Sequence, residues 1–262
     1  MIRSYRAELV KLLRRRVVLM TAMVTVLFSV GGAAIVLAAA KPAAEGGFGR
    51  SVTIEDLASA GGGTEVFRVA AAFAGTFLFV VFVGLMAAEF SRGTIRTSLL
   101  RQPRRVTLLG GKLAALLTFA GVTLAAAEAL TWVAARVLAP GQGIATDAWS
   151  SVDGLTAAAG DFGVVLVWVT GYAVLGTTVA VLLRSVPLAL AVGIAWAGPV
   201  EHLVQDAWEP ANRFFPGLLL EAFVAGGTPE VSADRAFATV VAYSVLAALV
   251  AATVFARRDV AT

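Results

Sequence analysis

Long apolar runs, separated by short charged stretches, set the pattern of this chain. Val17–Ala40, Val69–Ala88, Phe162–Leu183 and Ala236–Ala256 contain no charged residue, and Leu113–Ala135 contains only Glu128. A bilayer core about 30 Å thick is crossed by about 20 apolar residues wound as α-helix. Each of these runs is therefore an expected span. Leu188–Val200 is a sixth, too short to cross alone and closed by Pro199 and Glu201. Phe214–Val224 is also short and carries Glu221, so it is expected as an outer or re-entrant helical piece before the last span. No short alternating segments of barrel type occur, and backbone groups in hydrocarbon must be satisfied inside their own segment, so helix is the spanning element. The expectation is an all-α polytopic membrane protein. Its single transmembrane domain covers 1–262, with spans 17–40, 69–88, 113–135, 162–183, 188–200 and 236–256.

The polar intervals differ in kind. Residues 1–16 form an interfacial helix in which Ile2, Tyr5, Leu9 and Leu12 recur at helical spacing among Arg3, Arg6, Lys11, Arg14 and Arg15. The apolar run that follows is far longer than a signal-peptide core of roughly 7–15 residues, so it is expected to be retained as the first span. Residues 41–67 and 140–161 are Gly-rich, acidic and aperiodic, which predicts loops. Residues 89–112 form the one sizeable basic loop.

Composition sharpens this picture. Hydrophobic residues make up 59% and charged residues 15%, and mean hydropathy is +0.85. A soluble chain carries about 25% charge, and disorder requires low hydrophobicity, so both classes are excluded. The absence of cysteine removes disulfides, cysteine nucleophiles and thiolate metal sites, and a single histidine removes multi-histidine metal chemistry. The net charge of +4 conceals a separation across the membrane. With both termini inside, 15 of the 21 Lys and Arg residues fall on the inner face, whereas the outer face is acidic. The positive-inside rule thus places both termini in the cytoplasm and 41–67 and 140–161 outside.

Three groups of residues are candidates for chemistry. In the basic loop, Arg92 and Arg96 are four apart and so are expected on one helix face, with Ile95 and Leu99 as a second stripe. Pro103 ends that helix and the next begins near Arg104. Such a segment either lies on anionic lipid heads or docks a cytoplasmic subunit. Glu128 is the one ionisable group deep in an apolar run. It is expected to be held by a base, with Arg68 or Arg136 as candidates, to lie near the outer interface, or to line a transport path. On its helix Gly121, Ala125, Glu128 and Trp132 fall along one side. Glu201, His202, Asp206 and Glu209 form a loose polar cluster with too few good ligands for a metal, so an outer cap is expected there. The five tryptophans are expected mainly at outer span ends. Gly110-Gly111-Lys112 is not a phosphate loop, because Val106 replaces its first glycine and Leu113 its Ser/Thr.

The run Glu89–Lys112, EFSRGTIRTSLLRQPRRVTLLGGK, resembles the signature of type-2 ABC export permeases. Glu89, Gly93, Thr94, Leu99, Leu100, Pro103, Arg104 or Arg105, and Lys112 fit in order. The ends ELVKLLRRR and FARRDV, the short fifth span and Phe215-Pro216-Gly217-Leu218 are also similar to the family layout. The resemblance implies the permease subunit of an ATP-driven exporter in the cell membrane, paired with a second copy or a related permease. A separate ABC ATPase would bind ATP and magnesium, leaving this chain without catalysis or cofactor. Glu89, Arg92, Gly93, Thr94, Arg96, Leu99, Leu100, Arg101, Pro103, Arg104 and Arg105 would form its coupling segment. The exported substrate would come from a range that includes drugs, lipids, glycans and peptides, and no nucleic acid is implied. The competing expectations are an ion-coupled secondary transporter centred on Glu128, and a membrane enzyme using Glu201, His202 and Asp206.

Overall fold

A backbone surrounded by apolar side chains keeps its N–H and C=O groups paired most simply by winding into helix, and nearly every described residue does so. The computed structural model describes residues 1–42 and 52–258. In chain order the helices are α1 (Ile2–Leu12), α2 (Arg15–Ala39), α3 (Ile54–Ala58), α4 (Gly62–Phe73), α5 (Gly75–Ser91), α6 (Thr94–Arg101), α7 (Arg105–Leu138), α8 (Val152–Leu183), α9 (Val186–Ala195), α10 (Glu201–Ala207), α11 (Pro216–Val224) and α12 (Ala233–Arg257). Among the described residues the only extended pairings are two isolated bridges. Four helices, α2, α7, α8 and α12, are long and apolar enough to cross a membrane, or five spans result if α4 and α5 act as one broken span.

The chain divides into two units, one made of residues 1–13, 74–119 and 167–262, the other of 14–73 and 120–166. The second unit overturns the expectation of loops at 41–67 and 140–161. Thr53 and Asp56 cap α3 reciprocally, and α4 follows from Gly62. Trp149 is fully buried there and its indole N–H donates to Leu57 O at 2.8 Å. Its ring packs with Leu57, Val66, Ala135, Ala139 and Ile144. A large buried aromatic thus organises a stretch that is merely Gly-rich by composition. Residues 43–51, including Arg50, lie outside the described residues. Close helix approach in this unit uses small side chains, as at Gly32 against Ala70 and where Ser29 Oγ donates to Ala127 O at 3.1 Å.

In the first unit α5 packs on α9 and α11 on α12. The expected second span is not one helix, because the chain breaks at Ala74 before α5. At Gly75 a Cβ would come within 2.6 Å of the Trp168 ring, so Trp168 and Tyr172, stacked edge to face, press directly on the backbone. Trp149 and Trp168 are therefore core residues, whereas Trp196 and Trp208 are exposed. Thr178 Oγ1 donates to Ala247 O at 3.1 Å and ties α8 to α12. Pro199 does not end the helix begun by α9. The turn Trp196–Val200 widens to a π-turn around it and runs straight on into α10.

Candidate functional site

The basic loop folds as a helical elbow. α5 closes through Arg92 N–H to Ala88 O at 3.0 Å and Gly93 N–H to Phe90 O at 3.1 Å. Gly93 adopts φ +69, the left-handed conformation that costs other residues about 1–2 kcal/mol, and in one residue the chain turns from α5 into α6. This corrects one expectation. Arg92 caps α5 and is not on α6, so it does not share a helix face with Arg96. Thr94 Oγ1 reaches back to Glu89 O at 3.1 Å across the corner. α6 ends at Arg101, Pro103 separates it from α7, and α7 begins at Arg105 as expected.

On α6 only Ile95 is buried, and Leu99 is half-buried. Arg96, Arg101, Pro103 and Arg104 are exposed, and Leu100 is 87% exposed, an apolar side chain presented among arginines.

Behind the elbow lies an ion cluster that sequence spacing does not reveal. Lys112, on the second turn of α7, is 3% exposed. Its ammonium contacts Glu8 Oε2 at 2.7 Å and Glu89 Oε2, while Lys11 contacts Glu8 Oε2 at 3.0 Å and Glu89 Oε1 at 2.9 Å. Two acids and two bases from α1, α5 and α7 thus close a neutral ring, the arrangement that makes burial of charge tolerable. Burial pulls the Lys11 ammonium down, but its hydrogen bonds and charge contacts with Glu89 and Glu8 outweigh this and hold it above the ordinary lysine value. Glu89 and Lys112 were legible as motif residues; Glu8 and Lys11 were legible only as members of a basic helix. The face α1 turns inward carries Ser4, Glu8 and Leu12, whereas Ile2 is exposed. Gly111 permits this seating, since a Cβ there would collide with Ser4 Oγ.

The other candidates are placed as follows. Glu128 is half-buried on α7, and its Oε1 is buried without a hydrogen-bond partner. Neither proposed base holds it. Arg68 pairs with Glu65 and with Asp161 at 3.6 Å, and Arg136 lies over the Trp132 ring and bonds Ser150. Gly121 packs towards Leu166, but Ala125 is exposed, so the small-residue stripe is not wholly covered.

Glu201, His202 and Asp206 do not converge. Glu201 is 1% exposed and accepts the Leu218 N–H at 3.0 Å, capping the start of α11. His202 Nε2 lies 3.4 Å from Glu221 Oε2, and Asp206 is exposed. Burial foremost, with the Glu221 charge, raises the Glu201 carboxyl to about 7, against hydrogen bonds from Leu218, Gly217 and Trp196. Glu201 lies just past the expected fifth span, on a helix whose Glu201, His202, Gln205 and Asp206 are too polar for hydrocarbon. No group of three or more His, Cys, Asp or Glu among the described residues could hold a metal. Comparison with family models, curated proteins and solved structures returns no match for the chain.

Proposed function

We propose that the chain is the membrane-spanning permease subunit of an ATP-driven exporter of the ABC-2 type. In this reading α6 is the segment that docks a separate ATPase, which binds ATP and magnesium. Two permeases, identical or related, enclose the substrate path, and this chain carries no catalytic residue. The chain crosses the cell membrane six times with both termini cytoplasmic. α4–α5 serve as the second span and α9 with the π-turn as the fifth. The observation that carries the reading is the elbow. α6 is a short, basic helix presenting Leu100 between Arg96 and Arg101, backed by the ring of Glu8, Lys11, Glu89 and Lys112. A brace of that kind lets a push on α6 reach α1, α5 and α7 together instead of bending the loop.

The test is charge reversal at Arg96 and Arg101 together with Leu100→Glu. ATPase recovery with the purified chain in mild detergent should fall at least tenfold, and transport should be lost while the chain still inserts. Retention of both would remove α6 from the docking role. The second reading, an ion-coupled transporter, is favoured by the buried, unbonded Glu128 Oε1. It takes over if transport in vesicles persists without ATPase or ATP, follows an imposed proton gradient and stops in Glu128→Gln.

A further inference from the structure

We infer that Arg105 is a positioning residue for transport, carrying movement of α6 into α12 and α8. The resemblance places Arg105 with the docking arginines, yet its surroundings set it apart. Arg101 and Arg104 are exposed, whereas Arg105 is half-buried. Its Nη1 donates to Arg258 O at 2.7 Å and to Phe255 O at 3.4 Å, across 153 and 150 residues of chain. The last carbonyls of a helix have no partner within it, and a cation there suits the helix dipole. Arg105 thus closes the end of α12 from the first residue of α7. Gln102, Pro103 and Arg104 are all that separates it from α6, and Pro103 fixes its own φ, so the link has little slack.

The last turn of α5 supplies an independent sign, because three consecutive residues there hold three different sets of partners. Glu89 contacts Lys11 and Lys112 in the ring. Phe90 packs edge to face on Phe255 at 6.0 Å, and Arg184 lies over the Phe90 ring at 5.6 Å. Ser91 Oγ accepts the Val186 N–H at 3.3 Å, at the start of α9. Arg184 Nη2 donates to the same Arg258 O at 3.5 Å, and Arg258 Nη1 donates to Leu182 O at 2.9 Å. The two helices that flank α6 therefore both reach the ends of α8 and α12, α5 through Phe90 and α7 through Arg105. Chains of packed side chains and hydrogen bonds of this kind carry coupling between distant parts of a protein. α12 then acts as a lever. Its 25 residues span about 37 Å, Thr178 Oγ1 ties it to α8 part-way along, and it packs on α11. The inference rests on α6 being the segment that docks an ATPase.

The test is hydrogen–deuterium exchange on the chain in complex with its ATPase in mild detergent, without nucleotide and with ATP trapped by vanadate. In the parent the ATPase should protect 94–101, and ATP should change exchange over 228–240, at the far end of α12. A hydrogen bond from a charged donor shifts an equilibrium by about tenfold, so Arg105→Gln should cut the ATP-driven change at 228–240 by about that factor while 94–101 stays protected. Arg105→Lys keeps the charge but not the fork, and should fold and lose part of the change. A full parental change in Arg105→Lys overturns the inference even if Arg105→Gln does not fold. Arg258→Gln removes the bond to Leu182 but not the carbonyl that Arg105 holds, and should keep most of the change. A merely structural Arg105 would raise exchange at 250–258 without nucleotide and leave the ATP-driven change intact. That result, an equal loss in Arg258→Gln, or a protected parent with no ATP-driven change at 228–240 overturns the inference alone. No protection of 94–101 in the parent overturns the docking reading, and this inference with it.

Discussion

Replacing Lys112 by methionine tests the ring behind the elbow, because methionine keeps most of the side-chain length and removes only the charge. The structure sets the size of the effect. The Lys112 side chain is 3% exposed, and those of Glu8 and Glu89 are 13% and 16% exposed, so the carboxylates cannot turn to water when their partner is lost. Lys11, at 40% exposure, is left to balance two acids with one charge. Removing one partner from a buried ion pair costs about 3–5 kcal/mol. At about 2–4 °C per kcal/mol for a chain of this length, that is a drop of roughly 10 °C in the thermal midpoint. Lys112→Met with Glu8→Gln restores neutrality with the Lys11–Glu89 pair intact, and should recover about half of the loss. Lys11→Met alone, removing the more exposed base, should cost clearly less than Lys112→Met. Thermal melts of the purified chain in mild detergent read these values, and Glu8→Gln alone completes the double-mutant cycle with Lys112→Met. If Lys112→Met costs no more than Lys11→Met, or if adding Glu8→Gln makes matters worse, the ring is not the brace described above.

Two further outcomes follow from named residues. The Glu201 carboxyl is raised to about 7 by burial, so the folded chain holds its proton more tightly than the unfolded one; stability should fall by about 3 kcal/mol as pH rises from about 4.5 to 7 and level off above. Glu201→Gln, which still accepts the Leu218 N–H, should flatten that dependence, and equal pH slopes for variant and parent would dismiss the assignment. The chain has no cysteine, so single cysteines report sidedness cleanly. An impermeant thiol reagent on intact cells should label Ser151→Cys and spare Ser98→Cys, and the reverse pattern would invert the proposed topology.

Apolar run length made the helical class and most helix positions legible, since 20 uncharged residues leave the backbone few alternatives to helix. Pro103 was legible as the end of α6, but the turn at Gly93 was not, because Arg92 and Arg96 read as one helix face running through it. What escaped was three-dimensional pairing. Glu8 and Lys11 look like ordinary surface charges of an interfacial helix until Gly111 lets α1 settle onto α7. Arg68 and Arg136 were reasonable partners for Glu128 as bases expected on the same side of the membrane, but Glu65, Asp161 and Ser150 claim them first. Trp149 looked like a belt residue because periodicity does not register the short segments Ile54–Ala58 and Asp147–Ser150, whose packing buries it.

The widened turn at Trp196–Val200 makes chain length, more than side-chain identity, the quantity held constant in that stretch. A π-turn accommodates one more residue than an α-turn, and Pro199 removes a donor that the narrower winding would use. Deleting any one residue between Trp196 and Val200 would swing every following side chain of α10 by about 100° about the helix axis. Glu201 would leave the first turn of α11, and His202 would leave Glu221. An apolar residue here can be exchanged for another of similar bulk, but it cannot be omitted, so an alignment gap in this stretch would mark a protein in which α10 and α11 are differently assembled.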